Sequence, residues 1–181
     1  MDLFEAIERR RSIRKFKPEP VAKEDLKKIL EAGRLAPSGG NRQPWYFIVV
    51  RDLETKRALS IAANNQKFIA DADTVIVALG DPGTRTKTLP YKLSSTRIPY
   101  KQDPMIAIEH MILAATALGY GTCWIGAFNE DEVRKILKIP EYFTVIALLP
   151  VGIPDESPPP RPRKPFKEIF FKEFYGIPLE M

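Results

Sequence analysis

The sequence predicts one domain of the α+β class, and three observations predict it. Stretches with apolar residues at helical spacing are interspersed with short apolar runs of strand length. The 181 residues fall within the roughly 100 to 200 typical of a single domain. With 44% hydrophobic and 28% charged residues, the chain carries enough apolar surface to offset the entropy of ordering itself around one core.

Asp2 is placed as the N-cap of a first helix, with Glu5 completing a capping box and Leu3, Phe4 and Ile7 as its apolar stripe. This helix is expected to end near Arg11. A second helix starts after Pro18 and Pro20, at about Lys23, with Leu26, Ile29 and Leu30 on one face and Gly33 as its stop. The run Ala36-Pro-Ser-Gly-Gly-Asn-Arg-Gln-Pro44 is a loop, dense in residues that break regular structure. Trp45 to Val50 reads as a buried strand, Glu54 to Ala62 as a helix and Thr74 to Leu79 as another strand.

Gly80 to Asp103 shows no clean periodicity, and so long an irregular stretch in a compact domain is expected to be a lid over a site. Pro104 to Leu118 is apolar on nearly all sides and is expected to be the central buried helix, with Ala107, Ala114, Ala115 and Ala117 admitting close neighbours. Thr122 to Ile125 reads as a short strand. Asn129 caps a helix to about Lys138, and Phe143 to Val151 is a strongly apolar strand. Six prolines from Pro154 to Pro165 force an extended path. Beyond them, Phe166, Ile169, Phe170, Phe171, Phe174 and Tyr175 present too much apolar surface to stand in water, so this end needs a surface to cover.

Composition removes several classes of function. Uncharged stretches such as Met111 to Asn129 are interrupted by Gly, Thr and Asn, short of the roughly 18 to 20 apolar residues of a membrane span. Asp2, Glu5 and Glu8 stand where a secretory signal needs a basic start, which points to the cytoplasm. One cysteine, Cys123, and one histidine, His110, cannot build a standard four-ligand zinc site. His110 lies mid-helix and reads as a core or interface residue. The net charge of +5 is modest, and much of the excess sits in two compact clusters, Arg9 to Lys17 and Arg161 to Lys167. A polyanion binder spreads its cations along a face, whereas compact clusters suit a small anion or form a solvated surface.

Motif chemistry narrows the field further. There is no Gly-x4-Gly-Lys-Ser/Thr loop and no Gly-x-Ser-x-Gly elbow. Gly119, Gly121 and Gly126 follow a helix and lead into a strand, the reverse of the dinucleotide-binding order. What remains suits a flat, phosphorylated ligand. Arg9-Arg-Arg-Ser-Ile-Arg-Lys-Phe16 sets guanidinium forks and a hydroxyl at the end of helix one, and arginine grips phosphate through paired charge-assisted hydrogen bonds. Gly39 and Gly40 let backbone amides approach a ring closely, while Asn41 and Gln43 offer donors and acceptors to a heterocycle edge.

In order and together, these pieces resemble the FMN-dependent nitroreductases, in the short subgroup lacking large helical insertions. The resemblance spans nearly the whole chain. It rests on Arg10-Arg-Ser-Ile-Arg-Lys-Phe16, Ala36-Pro-Ser-Gly-Gly-Asn-Arg-Gln-Pro-Trp45, Gly119-Tyr-Gly-Thr-Cys-Trp-Ile-Gly126, Pro150-Val-Gly-Ile-Pro154 and Arg161-Pro-Arg-Lys-Pro165. It implies a mostly antiparallel central sheet flanked by helices, in an obligate homodimer with two FMN molecules at the interface. Residues 1–165 would be the FMN-binding domain and 166–181 a domain-swapped C-terminal arm packed on the partner.

Carried over by residue, the resemblance implies that Arg10, Arg11, Ser12 and Arg14 are contacts from one chain. Arg10 and Ser12 lie toward the phosphate and ribityl chain, and Arg14 lies near the pyrimidine edge, where a cation favours the charge left by two-electron reduction. Pro37, Ser38, Gly39 and Asn41 would come from the partner, over the ring. Asn65 would face the flavin, Ile125, Gly126 and Ala127 would lie beside it, and Arg161 and Arg163 would close on the phosphate. The implied activity is ping-pong hydride transfer from NADH or NADPH through FMN to a nitroaromatic, quinone or similar acceptor, with no catalytic side chain. The same resemblance leaves open a flavin-dependent dehalogenase or flavin-fragmenting enzyme, and the basic pI a non-catalytic flavin or nucleic-acid binder. Two positions stand apart: Tyr120 replaces the usual leucine and is expected to project outward or fill part of the substrate channel, and Glu109 is expected to be a buried, structurally paired carboxylate.

Overall fold

Adjacent residues on the strands face opposite sides of the sheet, and both sides are filled. The computed structural model describes residues 1–83 and 98–180. Its strands are β1 (Trp45–Val50), β2 (Thr74–Gly80), β3 (Gly121–Thr122) and β4 (Thr144–Gly152), all antiparallel in the order β1-β2-β4-β3. On β2, Val75, Val77 and Leu79 join one core cluster, while Ile76 and Ala78 join the other. A strand covered on both faces reads as a continuous apolar run, and every residue of β2 is buried.

Among the described residues, helices supply the two covering layers. They are α1 (Leu3–Arg9), α2 (Lys23–Arg34), α3 (Leu53–Ala62), α4 (Phe68–Asp71), α5 (Pro99–Ala117) and α6 (Glu130–Leu137), of which α1 packs on one of the layers. Leu59 of α3, Ile69 of α4 and Val133 of α6 pack with Val75, Val77 and Leu148 on one side. Leu26 and Ile29 of α2 and Ile108, Met111 and Ile112 of α5 pack with Ile76 and Leu149 on the other. Helix starts follow their caps: Asp2, Asp52 and Asn129 accept from the backbone N–H of Glu5, Thr55 and Glu132. The mostly antiparallel, helix-flanked α+β domain implied by the sequence is the one observed.

Several boundaries moved. The first helix stops at Arg9 rather than Arg11, because the chain must turn extended to pair with the sheet. Ser12 bridges Thr122 in parallel, Ile13 N–H donates to Thr122 O at 2.8 Å, and Lys17 N–H donates to Ile153 O at 2.9 Å. The strand expected over Thr122 to Ile125 is shorter, and Ile125 makes a separate bridge to Leu148. The helix expected from Pro104 begins at Pro99, where a proline suits the first position, and Pro104 lies inside it. The expected lid falls mostly on residues 84–97, outside the described residues; at its ends, Gly80 completes β2 and Pro99 to Asp103 belong to α5.

α5 is buried along one stripe only. Ala107, Ile108, Met111, Ile112 and Ala115 face the core, while Met105 and Ile106 are exposed. Glu109, expected to be buried, is also exposed, since it falls on the outer side of that stripe. The stripe of α1 points outward too: Phe4 is 81% exposed in the single chain. Leu3, Ile7, Leu35, Leu113 and Ala117 line an apolar groove of about 680 Å3 between α1, α2 and α5, with His110 at its edge. Among the described residues, no helix is long and apolar enough to cross a membrane.

Gly121 marks a tight join between the N-terminal segment and the sheet. A Cβ there would stand 2.9 Å from three side-chain carbons of Ile13. Gly121→Val is therefore expected to destabilise the fold by about 1–3 kcal/mol through overpacking. Urea unfolding of the variant measures this, with an unchanged midpoint as the contrary result.

Candidate functional site

The two basic clusters seen in the sequence meet in one cavity. Pairing of residues 12–17 with β3 and with the chain after β4 brings the first cluster beside the proline-rich segment, since Asp155 N–H also donates to Lys15 O at 2.9 Å. Arg10, Arg11, Ser12, Arg14, Arg161 and Arg163, with Pro158 and Pro159, line a cavity of about 300 Å3. Arg11 Nη1 donates to the carbonyls of Glu8 and Arg10, at 2.6 and 2.8 Å, and so caps the negative end of α1. Arg163 Nη1 donates to the Arg161 carbonyl at 3.0 Å, which bends its guanidinium back over its own backbone.

Electrostatics distinguish this cavity from the rest of the surface. Several cations elsewhere are paired: Arg9 with Glu5, Arg34 with Glu31, Arg57 with Glu54 and Arg134 with Glu130. Among the described residues, none of the five cavity guanidinium groups has a carboxylate within ion-pair distance. Glu156 is engaged by the backbone, accepting from the Arg14 N–H. Concentrated positive charge beside a hydroxyl suits a phosphate, which takes guanidinium forks and hydroxyl donors together.

Cys123 lies beneath this cluster and is 2% exposed. Burial pushes its thiol pKa up, while Arg14, the Ser12 hydroxyl and Arg10 pull the other way. The thiol therefore stays protonated at neutral pH, and a thiol-specific reagent at pH 8 is expected to label the native protein far more slowly than the unfolded chain. Equal rates would contradict that burial.

The other expected site residues form two further groups. Ser38 to Asn41 make a short 3-10 turn in which Gly40 has φ 61° and Asn41 φ 52°. Pro37, Gly40 and Asn41 are exposed, Ser38 and Gly39 half-buried. Asn65 sits at the end of α3 in a left-handed pair with Asn64, whose Nδ2 donates to Ala127 O at 3.1 Å. Ile125, Gly126 and Ala127 therefore lie against this turn, with Ile125 buried and the other two exposed. The cavity, the Ser38 turn and the Asn65 group are distinct surfaces of the single chain.

Tyr120 takes neither expected position. Its hydroxyl donates to Asp25 Oδ2 at 3.0 Å and accepts from Ala22 N–H at 3.3 Å, fastening the start of α2. Lys28 and, next, Tyr120 hold the Asp25 carboxyl below the usual carboxylate range. Two contributors escaped sequence reasoning. Glu156 lies within the proline-rich run, where an acid between two basic clusters was the available signal. Asp103, which accepts from Gly39 N–H at 3.0 Å, lies in a stretch with no periodicity to flag it.

Fold and cavity together define a class: α+β proteins with helices on both faces of an antiparallel sheet and a cationic pocket where the N-terminal segment crosses the sheet edge. The nitroreductase family model matches residues 7–153, and the chain belongs to the nitroreductase family. It is an oxidoreductase. A protein of Archaeoglobus fulgidus is 36% identical over 160 residues, covering 86% of this chain and 87% of that one. The FMN reductase [NAD(P)H] of Bacillus subtilis is 32% identical over 186 residues, covering 96% and 74%. The structure of an NADPH:FMN oxidoreductase from Vibrio harveyi complexed with NAD+ superposes with a TM-score of 0.86 at 28% identity, covering 96% of this chain and 77% of that one.

Proposed function

We propose that this chain is a homodimeric, FMN-dependent NAD(P)H oxidoreductase that reduces electron-poor acceptors such as nitroaromatics and quinones. The observation that carries the reading is the cavity of five arginines and Ser12 without a carboxylate among its cations. Its donor set matches the terminal phosphate of FMN: guanidinium forks for a dianion and a hydroxyl for the remaining oxygen or the ribityl chain. When bound, FMN supplies the centre that takes hydride from NADH or NADPH and passes it on.

The chain's own residues bind and orient. Arg10, Arg11, Ser12, Arg161 and Arg163 hold the phosphate. Arg14, at the rim, gives a fixed positive charge to the pyrimidine edge and favours negative charge developing there. Pro37, Ser38, Gly39 and Asn41 come over the ring from the second chain, and Asn65, Ile125, Gly126 and Ala127 border it. No side chain is needed as nucleophile, so rate depends on holding donor and ring in line.

Assembly rests on apolar surface the single chain leaves uncovered. Leu3, Phe4 and Ile7 are 59%, 81% and 51% exposed, and the segment after Pro165 leaves Phe174 and Tyr175 69% and 93% exposed. That segment has a shape of its own, with Phe171 bridging Pro178 and Phe166 stacked on Phe170 at 4.3 Å. Residues 166–181 act as an arm that covers the partner subunit. Truncation after Pro154, which also removes Arg161 and Arg163, is expected to give aggregated or flavin-free protein. A stable, yellow truncated form would argue against the arm.

The direct test is anaerobic addition of NADH or NADPH to purified protein. The expected result is a yellow protein, dimeric by light scattering, whose flavin absorbance bleaches and returns when a quinone or nitroaromatic is added. A colourless protein, or one that keeps its colour, overturns the reading. Arg10→Ala and Arg163→Ala are expected to weaken FMN binding by about 10- to 150-fold each, the equivalent of one charge-assisted contact. Unchanged affinity would remove that residue from the phosphate site.

A further inference from the structure

We infer that Asp103 is a positioning residue: its buried carboxylate, on the outermost turns of α5, holds the Gly39 amide and so fixes where the Ser38–Asn41 turn stands. The inference rests on the proposed placement of that turn over the flavin ring.

The turn has an unusual backbone. Gly40, Asn41 and Gln43 all have positive φ, at 61°, 52° and 50°. Such conformations persist only where the surroundings over-determine them. Part of that determination is local: Gln43 N–H donates to Ser38 Oγ at 2.9 Å and Asn41 N–H to Ser38 O at 2.9 Å. These bonds set the shape of the turn. They do not set its place relative to the rest of the fold.

Asp103 supplies that placement from 64 residues away. It is 2% exposed, and its Oδ2 accepts from Gly39 N–H at 3.0 Å. A carboxylate that accepts a backbone N–H makes a charge-assisted contact, and losing it takes that acceptor from the half-buried Gly39 amide. Asp103 also belongs to the helix that carries His110, Leu113, Ala114 and Ala117 along the apolar groove. One rigid element therefore joins the turn to the surface proposed to meet the second subunit. Burial of the groove fixes α5, and α5 fixes Gly39 through Asp103.

Three measurements on the full-length protein test this. The first is amide hydrogen exchange of wild-type holoenzyme, in which Gly39 N–H is expected to be protected although the neighbouring turn is exposed. The second compares Asp103→Ala with wild type in flavin content, visible spectrum and the rate of anaerobic reduction by NADH. The expected variant retains FMN through its arginines, shows an altered flavin band shape, and is reduced about tenfold or more slowly, the order expected for one lost charge-assisted hydrogen bond. The third is Asp103→Asn, whose side-chain oxygen still accepts. It is expected to return the band shape and bring the rate to within about threefold of wild type, because neutral acceptors are about half as strong.

A folded Asp103→Ala protein with wild-type spectrum and reduction rate overturns the inference and leaves the flavin reading standing. So does rapid exchange of Gly39 N–H in the wild type, which decides the matter even where Asp103→Ala does not fold. Asp103→Asn behaving as badly as Asp103→Ala, with both folded, also overturns it. Wild-type protein that binds no FMN overturns both readings together.

Discussion

Guanidinium groups crowded around one cavity repel. Two unit charges 4 Å apart repel by about 1 kcal/mol in water and about 4 kcal/mol near a protein surface. Arg9, Arg34, Arg57 and Arg134 are neutralised by carboxylates a helical turn away, yet five arginines stand around a single cavity with no carboxylate partner among the described residues. What holds them is backbone. Residues 12–17 are fixed by hydrogen bonds to Thr122, Ile153 and Asp155, and Gly121 admits Ile13 against the sheet. Those bonds keep the backbone that carries Ser12 and Arg14 at the cavity. An anion entering the cavity relieves the repulsion, so binding and folding stability are linked: whatever the native state binds and the unfolded chain does not also stabilises the fold.

The same constraint explains why segment 12–17 is irregular. A helix continued to Arg11, as the sequence suggests, would carry the arginines around a cylinder, with successive side chains pointing about 100° apart. Ending the helix at Arg9 and pairing the next residues with the sheet edge brings Arg10, Ser12 and Arg14 to one cavity. Ile13 and Phe16 go into the core while Arg14 and Lys15 stay at the surface. Arg11, between the two regimes, satisfies the last carbonyls of α1.

Much of the fold was legible because its signals are local. Asp2 and Asn129 cap where the sequence placed them, and the apolar runs at Trp45, Thr74 and Thr144 are strands within a residue or two. What was not legible depends on partners distant in sequence. The orientation of Tyr120 is set by Asp25 and Ala22 on another helix. The exposure of Glu109 follows from which stripe of α5 the sheet takes, and a helix apolar on nearly all sides does not reveal that. Meeting of the two basic clusters was readable only through resemblance, since nothing in either cluster says that about 150 residues later the chain returns beside it. Glu156 and Asp103 act through backbone amides, and a carboxylate that serves an amide leaves no motif.

The unusual apolarity of α5 becomes intelligible when its two sides are considered separately. The core needs one stripe, and Ala107, Ile108, Met111, Ile112 and Ala115 provide it. A helix serving only that purpose would carry charges opposite, as α6 does with Glu130, Asp131 and Glu132 in its first turn. Instead Met105 and Ile106 stand exposed, and Leu113 lines the groove with Leu3 and Ile7 of α1 and with Leu35. Apolar surface on two neighbouring helices that the single chain cannot cover is costly in water at roughly 25 cal/mol per Å2. A second copy of the chain covers this surface in the proposed dimer, because its own α1 and α5 have the same deficit. In the proposed dimer the flavin ring lies where the two chains meet, so covering this surface and completing the site become a single event.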